Sequence, residues 1–171
     1  MALGVTLLVT PVNVFAQDQE QHGSSSSFVA DVAKHVLLDP TTYAPALIGY
    51  DATMKDWNSS QPFFQHGYVE RNSQFTVTGL PNDRAVSYSV GKQMILRDLF
   101  TNMEISAVNN ITDSIIERSL IERYPNHRKL VRAIGWVEKS VFASYFSYRL
   151  SAGHYEQWQQ NQRMAQQLGI K

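Results

Sequence analysis

Apolar residues recur at helical spacing along most of the chain. From Phe28 to Leu38 they fall at Phe28, Val29, Val32, Val36 and Leu37, with Ser27 as a plausible N-cap and Asp39-Pro40 as the stop. A second helix opens at Thr42 or Pro45, runs through Leu47, Ile48, Met54 and Trp57 to about Gln61 or Gln65, and ends by Gly67. Residues 68–89 break the pattern, with Gly79, Pro81 and Asn82 as turn residues. The alternating run Phe75 to Thr78 is a lone strand-like segment, and one strand makes no sheet, so it reads as an extended loop over helix ends. A long helix follows over about 91–124, then the break Tyr124-Pro125-Asn126, then a helix over about 127–151, with Gly153 separating a last helix from His154 to Leu168. The pattern predicts an all-α fold: a small helical bundle of about five helices with a central antiparallel hairpin (about 91–124 and 127–151) and one irregular loop (68–89).

Within the hairpin, Leu130, Ile134, Val137, Val141, Tyr145 and Tyr148 form a continuous stripe at steps of three and four. The expectation is that this stripe is the core face of the bundle. Beside it, Ser140, Ser144, Ser147 and Ser151 form a row of small residues that lets another helix come close. The preceding helix carries a broad apolar sector at Leu96, Leu99, Phe100, Met103, Ala107, Ile111 and Ile115.

The N-terminal stretch has a different pattern. Ala2 to Val9 are apolar, Thr10, Pro11 and Asn13 interrupt, and Val14-Phe15-Ala16 precede a very polar segment. This is the layout of a secretory signal cleaved after Ala16, although no basic residue precedes the apolar run. Eight apolar residues are too few to span a bilayer, which takes roughly 20. The expected organisation is a signal peptide at 1–16, a flexible polar linker at 17–27 containing four consecutive serines, and a single helical domain at 28–171, exported to the periplasm or beyond with no transmembrane helix.

Composition narrows the chemistry. The chain of 171 residues has no cysteine, which excludes thiol nucleophiles, cysteine-ligated metals and redox pairs. Its 15 basic and 15 acidic side chains give no net charge, against the basic excess of a dedicated nucleic-acid binder. The balance hides an asymmetry, since residues 1–83 hold three basic and eight acidic side chains and residues 84–171 hold twelve and seven. The two halves are expected to dock on each other. A basic cluster at the hairpin turn, Arg118, Arg123, Arg128, Lys129 and Arg132 with His127, is tempered by Glu117 and Glu122. It marks Arg123, Arg128, Lys129 and Arg132 as candidate contacts with an anionic membrane surface.

Two polar constellations are candidates for binding. On the long helix, Asn102, Ser106, Asn109 and Asp113 share one narrow sector, with Asn110 and Ser114 inside the apolar face. The simplest role for Asn110 is a hydrogen bond within the bundle that fixes helix register. The second constellation is Asp56-x-x-Ser59-Ser60, then Gly67-x-x-Glu70-x-Asn72. Its spacing resembles a motif of small uncharacterised bacterial helical membrane proteins, in which an Asp is followed by two Ser/Thr and then by Gly-x-x-Glu-x-Asn-Pro at the helix exit. Ser73 stands where that motif has Pro, and the helices here are more polar than membrane spans. The resemblance implies that Asp56 meets polar residues of the following long helix, Asn109 or Asn110, and it implies no activity.

Asp56, Glu70, Asn72, Asn109 and Asp113 are therefore the candidate ligand-binding residues. The five histidines are scattered without a His-Glu-x-x-His pair, so neither a metal nor another cofactor is expected. No serine has a nucleophile-elbow context and no glycine-rich phosphate loop exists, so no catalytic residue is assigned. The leading expectation is an exported protein with a structural or interaction role at the bacterial envelope, its partner an envelope protein or an anionic membrane surface. The alternative is a small-ligand binder or hydrolase with a polar site between the 45–66 helix and the long helix.

Overall fold

A computed structural model describes residues 24–170. The signal peptide expected at 1–16 and the first part of the expected linker lie outside the described residues. Among those described there are four α-helices: α1 (Ser24–Leu38), α2 (Ala44–Gln65), α3 (Tyr88–Arg123) and α4 (Arg128–Leu168). The all-α bundle stands, with one helix fewer than expected. Ser24 to Ser27, read as linker, form the first turn of α1.

The connections have local causes. Between α1 and α2, Asp39 Oδ1 accepts from the Thr41 backbone N–H at 3.0 Å and from the Thr41 hydroxyl at 2.7 Å, closing a tight turn that Pro40 enters. At the end of α2, Gly67 takes φ +85°, a conformation that favours glycine. The Tyr68 N–H then reaches back to Phe63 O at 3.1 Å, and the Tyr68 ring packs edge-on to Phe63 at 5.6 Å. The segment before α3 is the extended loop expected, pinned by two isolated antiparallel bridges, Glu70 to Asp83 and Thr76 to Ala85. Ser87 caps α3, which begins three residues before Gly91.

That loop closes the core. Trp57, Phe75 and Ile95 are buried together, with the Trp57 and Phe75 rings stacked at 5.2 Å and Phe64 tilted against Trp57 at 5.7 Å. Tyr50, Met54, Ala85, Val86 and Met94 pack around them. α2 lies against both α3 and α4. Gly49 lets α4 come close, since an added Cβ there would stand 2.9 Å from Leu150 Cβ.

The hairpin is antiparallel, with Gly135 against the Glu117 carboxylate and Lys139 Nζ donating to Ser114 Oγ at 3.3 Å. Its limits are 88–123 and 128–168 rather than 91–124 and 127–151. Gly153 does not break α4, which is continuous over 41 residues. An interior glycine costs only about 1 kcal/mol. Tertiary bonds just after it, from His154 to Asp56 at 2.8 Å and from Tyr155 to Asp51 at 2.7 Å, tie the following turn to α2.

The expected core stripe of α4 is not in the core. Leu130, Ile134, Val137, Val141, Tyr145 and Tyr148 are between 52% and 67% exposed. The face turned to the bundle is Val131, Gly135, Lys139, Ala143, Phe146 and Leu150, all buried or half-buried. At about 100° per residue the two sets point to opposite sides of the helix. Small Gly135 and Ala143 let neighbours approach, and the long stem of Lys139 covers apolar surface, so an unobtrusive pattern supplies the contact face. In the row of serines, Ser151 is buried and Ser147 half-buried, while Ser144 is exposed. On α3 the inversion repeats: Ser106 and Asn110 are buried, while Leu96, Phe100, Ile111 and Ile115 are exposed and only Leu99, Met103 and Ala107 of the predicted sector are half-buried.

Candidate functional site

Three polar assemblies hold the candidate residues. The first is a cleft of about 860 Å³ between α2, α3, α4 and the loop, lined by Asp56, Glu70 and Asn72 among others. Asp56 sits on α2 with its carboxylate aimed at α4. Its Oδ2 lies 2.8 Å from His154 Nδ1, and its Oδ1 accepts from Asn161 Nδ2 at 3.5 Å. The same Asn161 amide donates to Ser59 Oγ at 3.0 Å and Ser60 Oγ at 2.9 Å, and both hydroxyls donate back to the Asp56 carbonyl. Asp56, Ser59 and Ser60 thus act as a unit, but their partner is α4, not Asn109 or Asn110 of α3. Neither hydroxyl bonds the His154 ring, since both are donated to the Asp56 carbonyl.

Two loop residues of the cleft, Glu70 and Asn72, are also paired. Glu70 Oε1 accepts from the Asn72 N–H at 2.7 Å, and Asn72 Oδ1 caps Gln74 N at 3.1 Å. Both side chains shape the turn that places Phe75 under Trp57. On the outer edge of the α2–α4 contact, Asp51 accepts from Lys55 and Tyr155, each at 2.7 Å. These two bonds hold its carboxyl below the ordinary value. Lys55 Nζ lies 5.4 Å from the Tyr155 ring centre and 5.3 Å from that of Trp158.

The second assembly is a knot at the α1–α2 elbow. Asn110 Nδ2 donates to Thr41 Oγ1 at 2.9 Å and Thr42 Oγ1 at 2.7 Å, and Thr42 donates to Val36 O at 2.7 Å. Lys139 reaches in from α4 to Asp39 at 3.8 Å, with both side chains largely shielded from solvent. Asn109 and Asp113 lie beside this knot and bond each other at 3.0 Å. Burial pushes the Asp113 carboxyl above its ordinary value and the Glu138 charge adds to that, while Lys139 and the Asn109 amide oppose it. The structure therefore brings Asp56, Glu70 and Asn72 to one cleft and leaves Asn109 and Asp113 outside it.

The third assembly is the hairpin tip. Arg118 is engaged, stacked on Phe28 at 4.7 Å and facing Asp31 at 3.9 Å and Glu122 at 3.6 Å. Arg123 lies over its neighbour Tyr124 at 5.8 Å. Arg128, Lys129 and Arg132 are exposed and form no ion pair with the described residues. Tyr124, Leu130 and Ile134 are exposed around them, and Trp136 is 71% exposed. Lys129, Arg132 and Trp136 follow steps of three and four, so they form one ridge, on a different side of α4 from the apolar stripe.

Sequence reasoning passed over three of these residues. His154 and Asn161, seven apart on one face of α4, carry no local sign of their partners on α2, and Trp136 lies off the apolar stripe. Among the described residues no group of three or more His, Asp or Glu is placed to hold a metal ion. No helix among the described residues is long and apolar enough to cross a membrane. Comparison of the chain with protein-family models, curated proteins and solved structures returns no match.

Proposed function

We propose that this is an exported interaction protein of the bacterial envelope, which docks the tip of its α3–α4 hairpin on an anionic membrane surface. The observation that carries the reading is the exposed ridge of Lys129, Arg132 and Trp136 beside Arg123, Arg128 and Tyr124. Cations near an anionic leaflet gain about 1 kcal/mol each. Trp and Tyr rings settle at the headgroup level with their apolar bodies inward. The carboxylates of the cleft are engaged by neighbouring groups, so the ligand-binding alternative has less support there.

The test is co-sedimentation with phosphatidylglycerol-containing vesicles. Binding is expected at low salt, with release at high salt as screening shortens the reach of the charges. The triple change Arg128→Gln, Lys129→Gln and Arg132→Gln is expected to weaken binding about a hundredfold or more, since three such contacts are lost. Absence of binding to anionic vesicles at low salt refutes the membrane reading.

A further inference from the structure

Opposite its bundle-facing side, α4 carries a second long face that no described segment covers. Six side chains from Leu130 to Tyr148, each more than half exposed, run along 19 residues of helix, a rise of about 27 Å. Together they expose on the order of 800 Å² of surface, the share that one partner contributes to a stable protein–protein interface. A soluble monomer rarely leaves so continuous an apolar face uncovered.

The spacing says what covers it. Ile134, Val141 and Tyr148 fall at every seventh position, and Leu130 and Val137 fall four residues before Ile134 and Val141. That is a heptad seam with a positions at 134, 141 and 148 and d positions at 130 and 137, where Ser144 fills the third d and Tyr145 flanks it. A period of 3.5 keeps a face in register with a second helix that supercoils beside it. The contacts of α4 inside the bundle instead advance mostly by four, through Val131, Gly135, Lys139 and Ala143. β-Branched residues at a with Leu at d, as Ile134 and Val141 stand with Leu130, favour two parallel strands.

Flanking charges favour the same orientation. In a parallel pair Ala133 and Ser140 of one helix meet Glu138 and Tyr145 of the other, with no like charges together. In an antiparallel pair the two Glu138 carboxylates would face each other near the midpoint. We infer that the exposed face of α4 is the seam of a parallel two-stranded coiled coil between two copies of this chain. The seam leaves the Lys129, Arg132 and Trp136 ridge free, and places the two tips at the same end of the dimer.

The chain has no native cysteine, so single introduced cysteines report on pairing without background. In the full chain, Leu130→Cys and Val137→Cys are both expected to form disulfide-linked dimers on mild oxidation, roughly tenfold more than Glu104→Cys on the exposed side of α3. Sedimentation of the unmodified chain at high micromolar concentration is expected to give a dimer. The double change Ile134→Glu and Val141→Glu is expected to return it to a monomer with unchanged helical circular dichroism, because both side chains are exposed in one copy. A monomer at high concentration with no Leu130→Cys cross-link overturns the inference. Cross-linking at Val137→Cys without Leu130→Cys overturns the parallel arrangement, and a dimer that survives both glutamates overturns this seam.

Discussion

A Cβ added to Gly91 would lie 2.3 Å from Trp57 Cζ2 and 2.5 Å from Cε2, far inside contact distance. The indole cannot retreat, since Phe75 is stacked on one side at 5.2 Å and its Nε1 donates to Tyr88 O at 3.3 Å. Gly91→Ala is therefore expected to destabilise the protein by about 2–3 kcal/mol despite alanine's better helix propensity, as a shift in urea midpoint at constant slope. An unchanged midpoint would mean that α3 slides away from α2 at little cost. Residues of this kind show the limit of sequence reading. Asp56-x-x-Ser59-Ser60 is visible as a unit, but its partners His154 and Asn161 stand 98 and 105 residues further on, and no local spacing encodes that pairing. Asn110 was different, because a polar residue inside an apolar face must find a buried partner, and it does so in Thr41 and Thr42.

At the scale of elements, helix spacing and stop signals placed α2, α3 and the irregular loop within a few residues of their observed ends. The error at Gly153 came from weighing a local breaker without the tertiary bonds made by the next turn at His154 and Tyr155. No atom beyond the neighbouring backbone lies within 4 Å of a Cβ added there, so nothing in packing requires glycine. Gly153→Ala is expected to stabilise the protein by about 0.5–1 kcal/mol, read from the urea midpoint, by restricting the unfolded chain and improving propensity. A loss of stability would show that α4 needs a flexible point at that position. The error over the stripe has a different origin. Amphipathic periodicity shows that a face will be covered, but steps of three and four do not by themselves tell the core from a second helix; the heptad register at 134, 141 and 148 does so only together with the exposure of that face.

At the scale of the whole molecule, the acidic and basic halves do meet: Asp31 faces Arg118 at 3.9 Å and Asp39 faces Lys139 at 3.8 Å. What this docking leaves over is the positive charge at the tip. Packing is as unevenly distributed as charge. The buried aromatic cluster and the Asn110 knot hold the halves of α3 and α4 nearest α2, whereas the distal hairpin beyond Asn110 and Lys139 is steadied by the turn, by the two helices' contact with each other and by α1 through Arg118. Local opening follows such differences in buried contact. Hydrogen exchange at low protein concentration is therefore expected to proceed faster in residues 114–138 than in the Trp57–Ile95 region. As concentration rises, amides near the exposed seam of α4 should slow while those of α1 stay unchanged, because only the former are linked to association by mass action. Equal protection of the distal hairpin and the aromatic core in the dilute chain would show that the hairpin is held by something other than the contacts described, and would remove the reason for its apolar face to await a second copy.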